Sequence, residues 1–549
     1  YPNYSDEEKK QLLNQLSTFF ATEFTESNEN EIEATVAFNV IDRLANLPFV
    51  LFIQSMEDPG EVENFRARTS HRAEAIGLES ANAYQLDGSG VHVSLGDYDF
   101  GTAGPHIDFT GRLNDKSAGI DNGTNHGIHT MGTVFGAGNL DPKGKGMAPG
   151  AELTYYTYPQ NLFAVDNDYA NDNVRITSSS FSNNCNNYTN FTSRVDKDMV
   201  DNPKLVHVFS AGNNNGANCG YGAGNAWGNI TGGHKQGKNV IAVANITSVD
   251  NIANSSSRGP AHDGRVKPDL GGVGTSVYST QENNTYGSKT GTSMSCPGVA
   301  GTLALIYQGY KNFNGNMEPD GGLAKALLMN TADDLGNAHV DFIYGYGRIN
   351  AFRAMECIED DNIVMDTVTG NGSNAFDIIV PPGTKEVRVM LHWTDPQALA
   401  NTSRALVNNL DLSVEHIASS TTYQPWVLNP TPNAALLNST AVRATDSLNN
   451  TEQFTLENPD TGLYTITVQG SAIPVGSQKY YVVYSFVSEN LKLMAPFGGE
   501  VLNPIGNYEI RFEGVNLSGS SSIEYSIDNG VSWTSIVSGL NSSIRNYNW

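Results

Sequence analysis

Residues 88–97 read Gly88-Ser89-Gly90-Val91-His92-Val93-Ser94-Leu95-Gly96-Asp97. The two glycines make a turn, 91–95 has the apolar, β-branched character of a strand, and an acid follows at its exit. From about 85 to 356, helical and strand patterns alternate between Gly-rich loops. That alternation predicts an α/β domain, a parallel sheet with helices on both faces. An acid just past a parallel strand then lies at the carboxyl edge of the sheet, where α/β sites form. Aspartate also serves plain turns, so Asp97 alone decides nothing.

The flanks have other textures. Residues 1–60 form an N-terminal segment. Leu12, Leu13, Leu16, Phe19 and Phe20 recur at helical spacing within 6–20. A strand is expected at 31–40, a short helix at 41–46 and a second strand at 48–53. Residues 61–84 are polar and charged, and read as a linker or arm. The α/β domain takes 85–358. Helical patterns vanish in 361–487, where β-branched and aromatic runs such as Val387-Arg388-Val389-Met390-Leu391 alternate with Asn, Asp, Pro and Gly. This is an all-β jelly-roll or sandwich domain. Residues 490–549 read as a further β-sandwich module. It is expected to be truncated, because Trp549 falls inside what reads as a strand.

Composition narrows the class. At about 100–200 residues per domain, 549 residues make several domains. With 32 Lys and Arg against 58 Asp and Glu, the formal charge is −26. Such a surface repels phosphate backbones and anionic membranes, which excludes a sequence-independent nucleic-acid binder. The longest apolar run, 47–53, is strand length and far short of the roughly 18 residues of a membrane span. No basic and apolar leader follows Tyr1, so a signal peptide is absent from this numbering. The four cysteines, Cys185, Cys219, Cys296 and Cys357, match no zinc spacing. A secreted protein with one or two disulfides fits best, with reduced thiols the alternative.

Two more segments stand out beside Asp97. His126-Gly127-Ile128-His129-Thr130-Met131-Gly132 puts two histidines on one helical face. They could bind metal, but no nearby Glu or Cys completes a zinc set. Gly127 and Gly132 would let this helix pack closely. Gly291-Thr292-Ser293-Met294-Ser295-Cys296-Pro297 places a serine where a helix begins, ordinarily a capping position. Three unrelated turns would explain the set without chemistry. Read together, Ser293 is a nucleophile, His126 its base and Asp97 the carboxylate that orients the base. A neutral hydroxyl needs such a base, and the base needs a buried carboxylate to fix its tautomer. The order Asp, His, Ser is one of the known arrangements of this triad.

These segments resemble the subtilisin-like serine proteases, the subtilase superfamily. GSGVHVSLGD at 88–97 resembles the family's first strand and catalytic Asp, HGIHTMG its HGTHVAG motif, and GTSMSCP its GTSMAxP motif. Lesser likenesses are Gly146-Met147-Ala148-Pro149, Ser255-Ser256-Ser257-Arg258-Gly259-Pro260, Lys267-Pro268-Asp269 and Gly345-Tyr346-Gly347-Arg348-Ile349-Asn350. The likeness spans about 80–356. It implies a serine endopeptidase that hydrolyses proteins or peptides through an acyl-enzyme. Phe209-Ser210-Ala211-Gly212-Asn213 resembles the segment that supplies a side-chain oxyanion donor, here Asn213, with the Ser293 amide as second donor. The family implies an extended substrate between two walls, Ser178-Ser179-Ser180-Phe181 and Ser210-Ala211-Gly212. Departures such as Ile128, Met131, Ser182, Ser295 and Gly298 touch pocket shape, not reaction type. Asp99 is a rival for Asp97, disfavoured by strand register.

The resemblance extends outward. Residues 31–57 resemble the second half of a subtilase propeptide, cut somewhere in 57–80. The alternative is an extension of the mature enzyme. Residues 361–487 resemble the jelly roll that follows some subtilase domains and often carries Ca²⁺, for which Asp395, Asn409 and Asp411 offer hard oxygen ligands. Residues 490–549 resemble an immunoglobulin-like accessory module. Cys185 and Cys219 lie in loops flanking the groove and are the expected disulfide of a secreted or surface-exposed protein. Cys296 is expected to be a small buried hydrophobe. A monomer acting on protein substrates, without nucleic acid, is the expectation. The rival is an inactive subtilase used as a binding protein.

Overall fold

The computed structural model describes residues 6–20, 24–28, 31–34, 36, 40–45, 47, 50, 63–78, 83–98, 105–117, 124–488, 491–498, 500, 508–514, 519–542 and 544–549. The chain forms two compact units, 1–61 and 62–549. In the first, a helix at Asp6–Phe20 and an antiparallel pair, Phe24–Asn28 with Glu31–Ala34, are followed by a short helix at Ile41–Ala45. Leu16, Phe24 and Leu44 form its small core. The strand expected at 31–40 stops at Ala34, and the strand expected at 48–53 falls, apart from Val50, outside the described residues.

The second unit opens with helix α1, Glu63–His71. Its sheet has seven parallel strands: β1 His92–Asp97, β2 Leu113–Asp115, β3 Glu152–Thr157, β4 Val174–Ser179, β5 Val206–Ser210, β6 Ile241–Ile246 and β7 Leu270–Val273. Their order is β2-β3-β1-β4-β5-β6-β7. The order reverses at β1 and β4, so the crevice at their carboxyl ends is the topological switch point. The central strands are buried along nearly their whole length, as a sheet covered on both faces requires. Helix α2, His126–Phe135, and helix α3, Thr292–Phe313, pack on each other and on this sheet. Glycine allows their close approach. A Cβ on Gly301 of α3 would lie 2.9 Å from the Val134 carbonyl of α2. One on Gly132 would lie 2.0 Å from Thr280 Oγ1, on the hairpin that α2 lies against.

The polar stretch read as a linker is not one. Along α1, the short helix Ala73–Gly77 and Arg72 between them, Ala67, Arg68, Ser70, His71, Arg72, Ala73 and Ile76 are buried. Arg68 Nη1 donates to the carbonyls of Gly146 and Met147. The Val273 amide donates to His71 Nε2 at 2.8 Å. The charges are polar in composition but satisfied inside the core, so their sequence resembles a solvated arm.

Residues after 361 form two antiparallel four-stranded sheets sharing one core, with Val387, Leu391, Trp393, Leu412, Phe454, Ile466 and Val482 inside. Met390, Tyr481 and Val483 instead join the α/β core, and Asn330 Nδ2 donates to the Val483 carbonyl at 3.1 Å. The last segment pairs Lys492–Ala495 with Glu509–Glu513 and Asn546–Asn548. Glu509–Glu513 is buried throughout, and its charges meet a chain of ion pairs. Arg72 Nε lies 2.5 Å from Glu513, Arg353 2.7 Å from Asp333, Arg348 2.5 Å from Asp250, and Arg511 2.7 Å from Glu509. Arg348 also pairs with Asp333, and Arg511 with Asp250 at 3.4 Å. This module is therefore built into the α/β body and is not merely appended.

Candidate active site

Asp97 ends β1 at the switch point, buried. His126 opens α2 after Asn125, which holds a left-handed conformation at φ 55° and turns the chain sharply into the helix. His126 Nδ1 lies 2.7 Å from Asp97 Oδ1. The other carboxylate oxygen accepts from Thr130 Oγ1 at 2.9 Å, and the Tyr98 amide donates to Oδ1 at 2.7 Å. Three donors thus fix the carboxylate, and the carboxylate fixes the imidazole through Nδ1–H. That leaves Nε2 as the ring's basic atom. The ring is 29% exposed and its partner 4%, so the pair is buried on one side and open on the other. Asp99, the rival acid, lies outside the described residues.

Ser293 is the second residue of α3. Its Oγ donates to the Ser180 carbonyl at 3.4 Å, and Ser180 Oγ donates to the Ser293 carbonyl at 3.1 Å. The hydroxyl therefore sits at the end of β4, on the same sheet edge as Asp97. Asn213 follows β5. Its Oδ1 accepts from the Thr292 amide at 2.9 Å and from Thr292 Oγ1 at 3.1 Å. With the oxygen engaged, the side-chain nitrogen is the end left to donate, beside the start of α3. A hydroxyl at a helix N-terminus, an amide donor next to it, and a carboxylate-bound imidazole are the parts that acyl transfer uses.

The two walls are only partly available to a ligand. Ser178 and Ser179 are turned inward: Ser178 Oγ lies 3.6 Å from Cys296 Sγ, and Ser179 Oγ accepts from Asn161 at 2.8 Å. Ser180 and Phe181 are buried as well, each about 9% exposed, with Phe181 stacked on Tyr158 at 4.6 Å and on His234 at 4.8 Å between centroids. On the facing wall Ser210 and Ala211 are buried, and the Gly212 amide donates to Thr292 Oγ1 at 3.2 Å. Gly212 has φ 120°, and a Cβ there would meet Thr231 Oγ1 at 2.3 Å, so the wall requires glycine.

His129 does not join His126 as a metal ligand. It is buried, its Nε2 donates to the Val277 carbonyl at 2.9 Å, and burial pulls its pKa down to about 3. Cys296 is buried and its thiol is pushed up by burial, consistent with a packing role. Cys185 and Cys219 are bonded, with Cα atoms 5.2 Å apart.

The calcium ligand set does not fit a cation. Asp395 is fully buried and pairs with the Lys238 ammonium, while its oxygens also accept from the Val407 and Asn408 amides at 2.9 and 2.8 Å. A cation at Asp395 would face that ammonium. Asp411 accepts from Ser471 and from Asn409 Nδ2, the latter at 3.3 Å. Among the described residues no group of three His, Cys, Asp or Glu is placed to hold a metal. The sequence pattern missed these internal partners because Asp-Pro and Asn-Asn look alike in a turn and in a ligand loop.

Two polar residues near the site were given no role from the sequence. Thr130 could have been found, four residues after His126 and hence on the same helix face. Lys235 could not, since a lone lysine in a loop reads as solvated.

Residues 88–347 match the subtilase family. Subtilisin DY of Bacillus licheniformis is 30% identical over 300 residues, covering 51% of this chain and 97% of that protein. The serine protease/ABC transporter B family protein tagA of Dictyostelium discoideum is 22% identical over 491 residues, and C5a peptidase of Streptococcus pyogenes is 31% identical over 140. The chain spans 28% and 12% of the lengths of these two. Among solved structures, a serine-to-alanine mutant of the protease domain of PatA aligns with a TM-score of 0.42 at 17% identity, over 50% of this chain and 98% of that one.

Proposed function

The chain belongs to the subtilase family of serine peptidases, and from that premise we propose that it is a secreted endopeptidase working through Asp97, His126 and Ser293. The observation that carries the reading is the 2.7 Å bond between His126 Nδ1 and the buried Asp97 carboxylate. It leaves Nε2 as base toward the edge where Ser293 sits. In the first half-reaction Ser293 Oγ bonds to the scissile carbonyl carbon and His126 takes its proton. The tetrahedral oxyanion is held by Asn213 Nδ2 and the Ser293 amide. The C–N bond then breaks, and His126 delivers the proton to the leaving amine. Water repeats the sequence on the acyl-enzyme and restores Ser293. The Asp97 carboxylate stabilises the imidazolium between these steps.

Secretion is supported by the Cys185–Cys219 bridge, a feature of oxidising compartments. Among the described residues no helix is long and apolar enough to cross a membrane. The separate core of residues 1–61 supports reading them as a propeptide, removed ahead of α1. The test is Ser293→Ala. Casein hydrolysis and labelling by a fluorophosphonate should both vanish while the circular dichroism spectrum is unchanged. Hydrolysis retained by the folded variant would refute the assignment.

A further inference from the structure

Lys235 lies in the short turn Gly233–Gln236, behind both walls of the groove. Its side chain is fully buried. The ammonium donates to Ser182 Oγ at 2.9 Å and to Ser210 Oγ at 3.4 Å, so it bridges one wall to the other. Ser182 is two residues past Ser180, which bonds to Ser293, and Ser210 is two residues before Gly212, which bonds to Thr292. Ser182 Oγ also lies 2.9 Å from Thr231 Oγ1. Three hydroxyls and one ammonium therefore gather between the walls, one step from the nucleophile.

The charge has no local explanation. Every other fully buried lysine of this unit has a carboxylate or carbonyl partner: Lys238 meets Asp395, Lys267 and Lys325 meet Asp269. Among the described residues no carboxylate lies within ion-pair distance of Lys235. Two of its three N–H donors go to hydroxyls, and an ammonium buried without an anion is costly. Burial pulls its pKa down to about 7, and the facing Cys296 thiol is the group that opposes this. Ser182, unlike the lysine itself, is an exposed residue, and its hydroxyl is part-buried between Lys235 and Thr231.

We propose that Lys235 is a specificity-determining residue that selects substrates with an acidic side chain, Glu or Asp, immediately before the scissile bond. The inference rests on Ser293 being the nucleophile. The substrate carboxylate accepts from Ser182 Oγ–H and lies in the field of the ammonium one hydroxyl behind it. Lys235 thus acts through Ser182 as a positioning residue, and the substrate supplies the anion that the buried ammonium lacks. The net charge of −26 does not favour acidic substrates at large, so the selection operates at one position of the peptide and not on its overall charge.

The test uses three succinyl-Ala-Ala-Pro-Xaa p-nitroanilides with Xaa Glu, Gln or Leu. Glu and Gln differ in charge but hardly in shape. The wild-type protein should show kcat/KM for Glu about 10–100-fold above Gln, the range expected of one charge-assisted hydrogen bond. Lys235→Met should bring that ratio to about one or below. Should that variant not fold, Ser182→Ala on the exposed rim should lower the same ratio. A wild-type protein that takes fluorophosphonate but handles Gln or Leu as well as Glu overturns this proposal alone. So does a labelled Lys235→Met variant that keeps the Glu preference. A wild-type protein that neither labels nor cleaves any of the three overturns the serine-peptidase mechanism and this proposal with it.

Discussion

Glu513→Gln should destabilise the α/β body. Glu513 Oε1 accepts from Arg72 Nε at 2.5 Å and from Asn350 Nδ2 at 2.6 Å, and Oε2 lies 3.5 Å from Arg353. Through Arg353 and Arg72 it connects to Asp333, and through Arg348 to Asp250 and Arg511. The arginines at 72, 348, 353 and 511 face the carboxylates at 250, 333, 509 and 513, so the charges cancel one for one. Glutamine keeps the shape and one acceptor but removes one negative charge, leaving a buried cation uncompensated. Breaking one partner of a buried pair costs about 3–5 kcal/mol. At about 2 °C per kcal/mol for a large domain, the melting temperature should fall by roughly 6–10 °C. Differential scanning fluorimetry at pH 7 measures it, with Glu524→Gln on the exposed face of the same module as a control expected to move little.

The pH dependence checks the cause. Burial pushes the Asp333 and Glu513 carboxyls up, but the arginines Arg353, Arg348 and Arg72 around the first, and Arg72 and Arg353 around the second, outweigh it and hold both well below the usual range. Acids depressed in the folded state contribute stability that is complete above their unfolded pKa near 4 and is lost as pH falls through the lower folded values. The gap between wild type and Glu513→Gln should therefore narrow below about pH 4. A variant that melts within about 1 °C of wild type at pH 7 would refute the reasoning, as would a gap that widens in acid.

Asp97→Asn should lower kcat by about 10⁴ with little change in KM, because the amide can donate to Nδ1 and present the wrong tautomer at Nε2. Stopped-assay kinetics on active-site-titrated protein measure it, and a loss below about tenfold would speak against the role of Asp97. Replacing both Cys185 and Cys219 by serine opens a loop of 34 residues and should cost about 3–4 kcal/mol, read as a lowered denaturant midpoint. An unchanged midpoint would show that the loop closes as well without the bond.

The proposed site could be read from the chain because the chemistry of acyl transfer fixes residue types. An acid after a strand, a histidine opening a helix and a serine opening another are what the proposed triad draws on, and in the structure His126 Nδ1 lies 2.7 Å from Asp97. The parallel sheet was legible from the alternation of patterns. What escaped depends on partners remote in sequence. Arg68, His71 and Arg72 have the composition of a linker, and only the carbonyls of residues 146 and 147, the amide of 273 and the carboxylate of 513 reveal them as core. Asp395 has the context of a calcium loop, and only Lys238, 157 residues earlier, shows that its charge is already taken. Local pattern reports which face a residue presents, but not which distant group meets it there.

Arg72 and Glu513 stand 441 residues apart along the polypeptide. A ribosome adds about 5–20 residues per second, so roughly 20–90 s pass between the emergence of the cation and that of its anion. Until Glu513 emerges, the one carboxylate of the network that Arg72 meets is Asp333, which Arg348 and Arg353 also share. The α/β body therefore completes this network of charges only after the strand that carries Glu513 has been made.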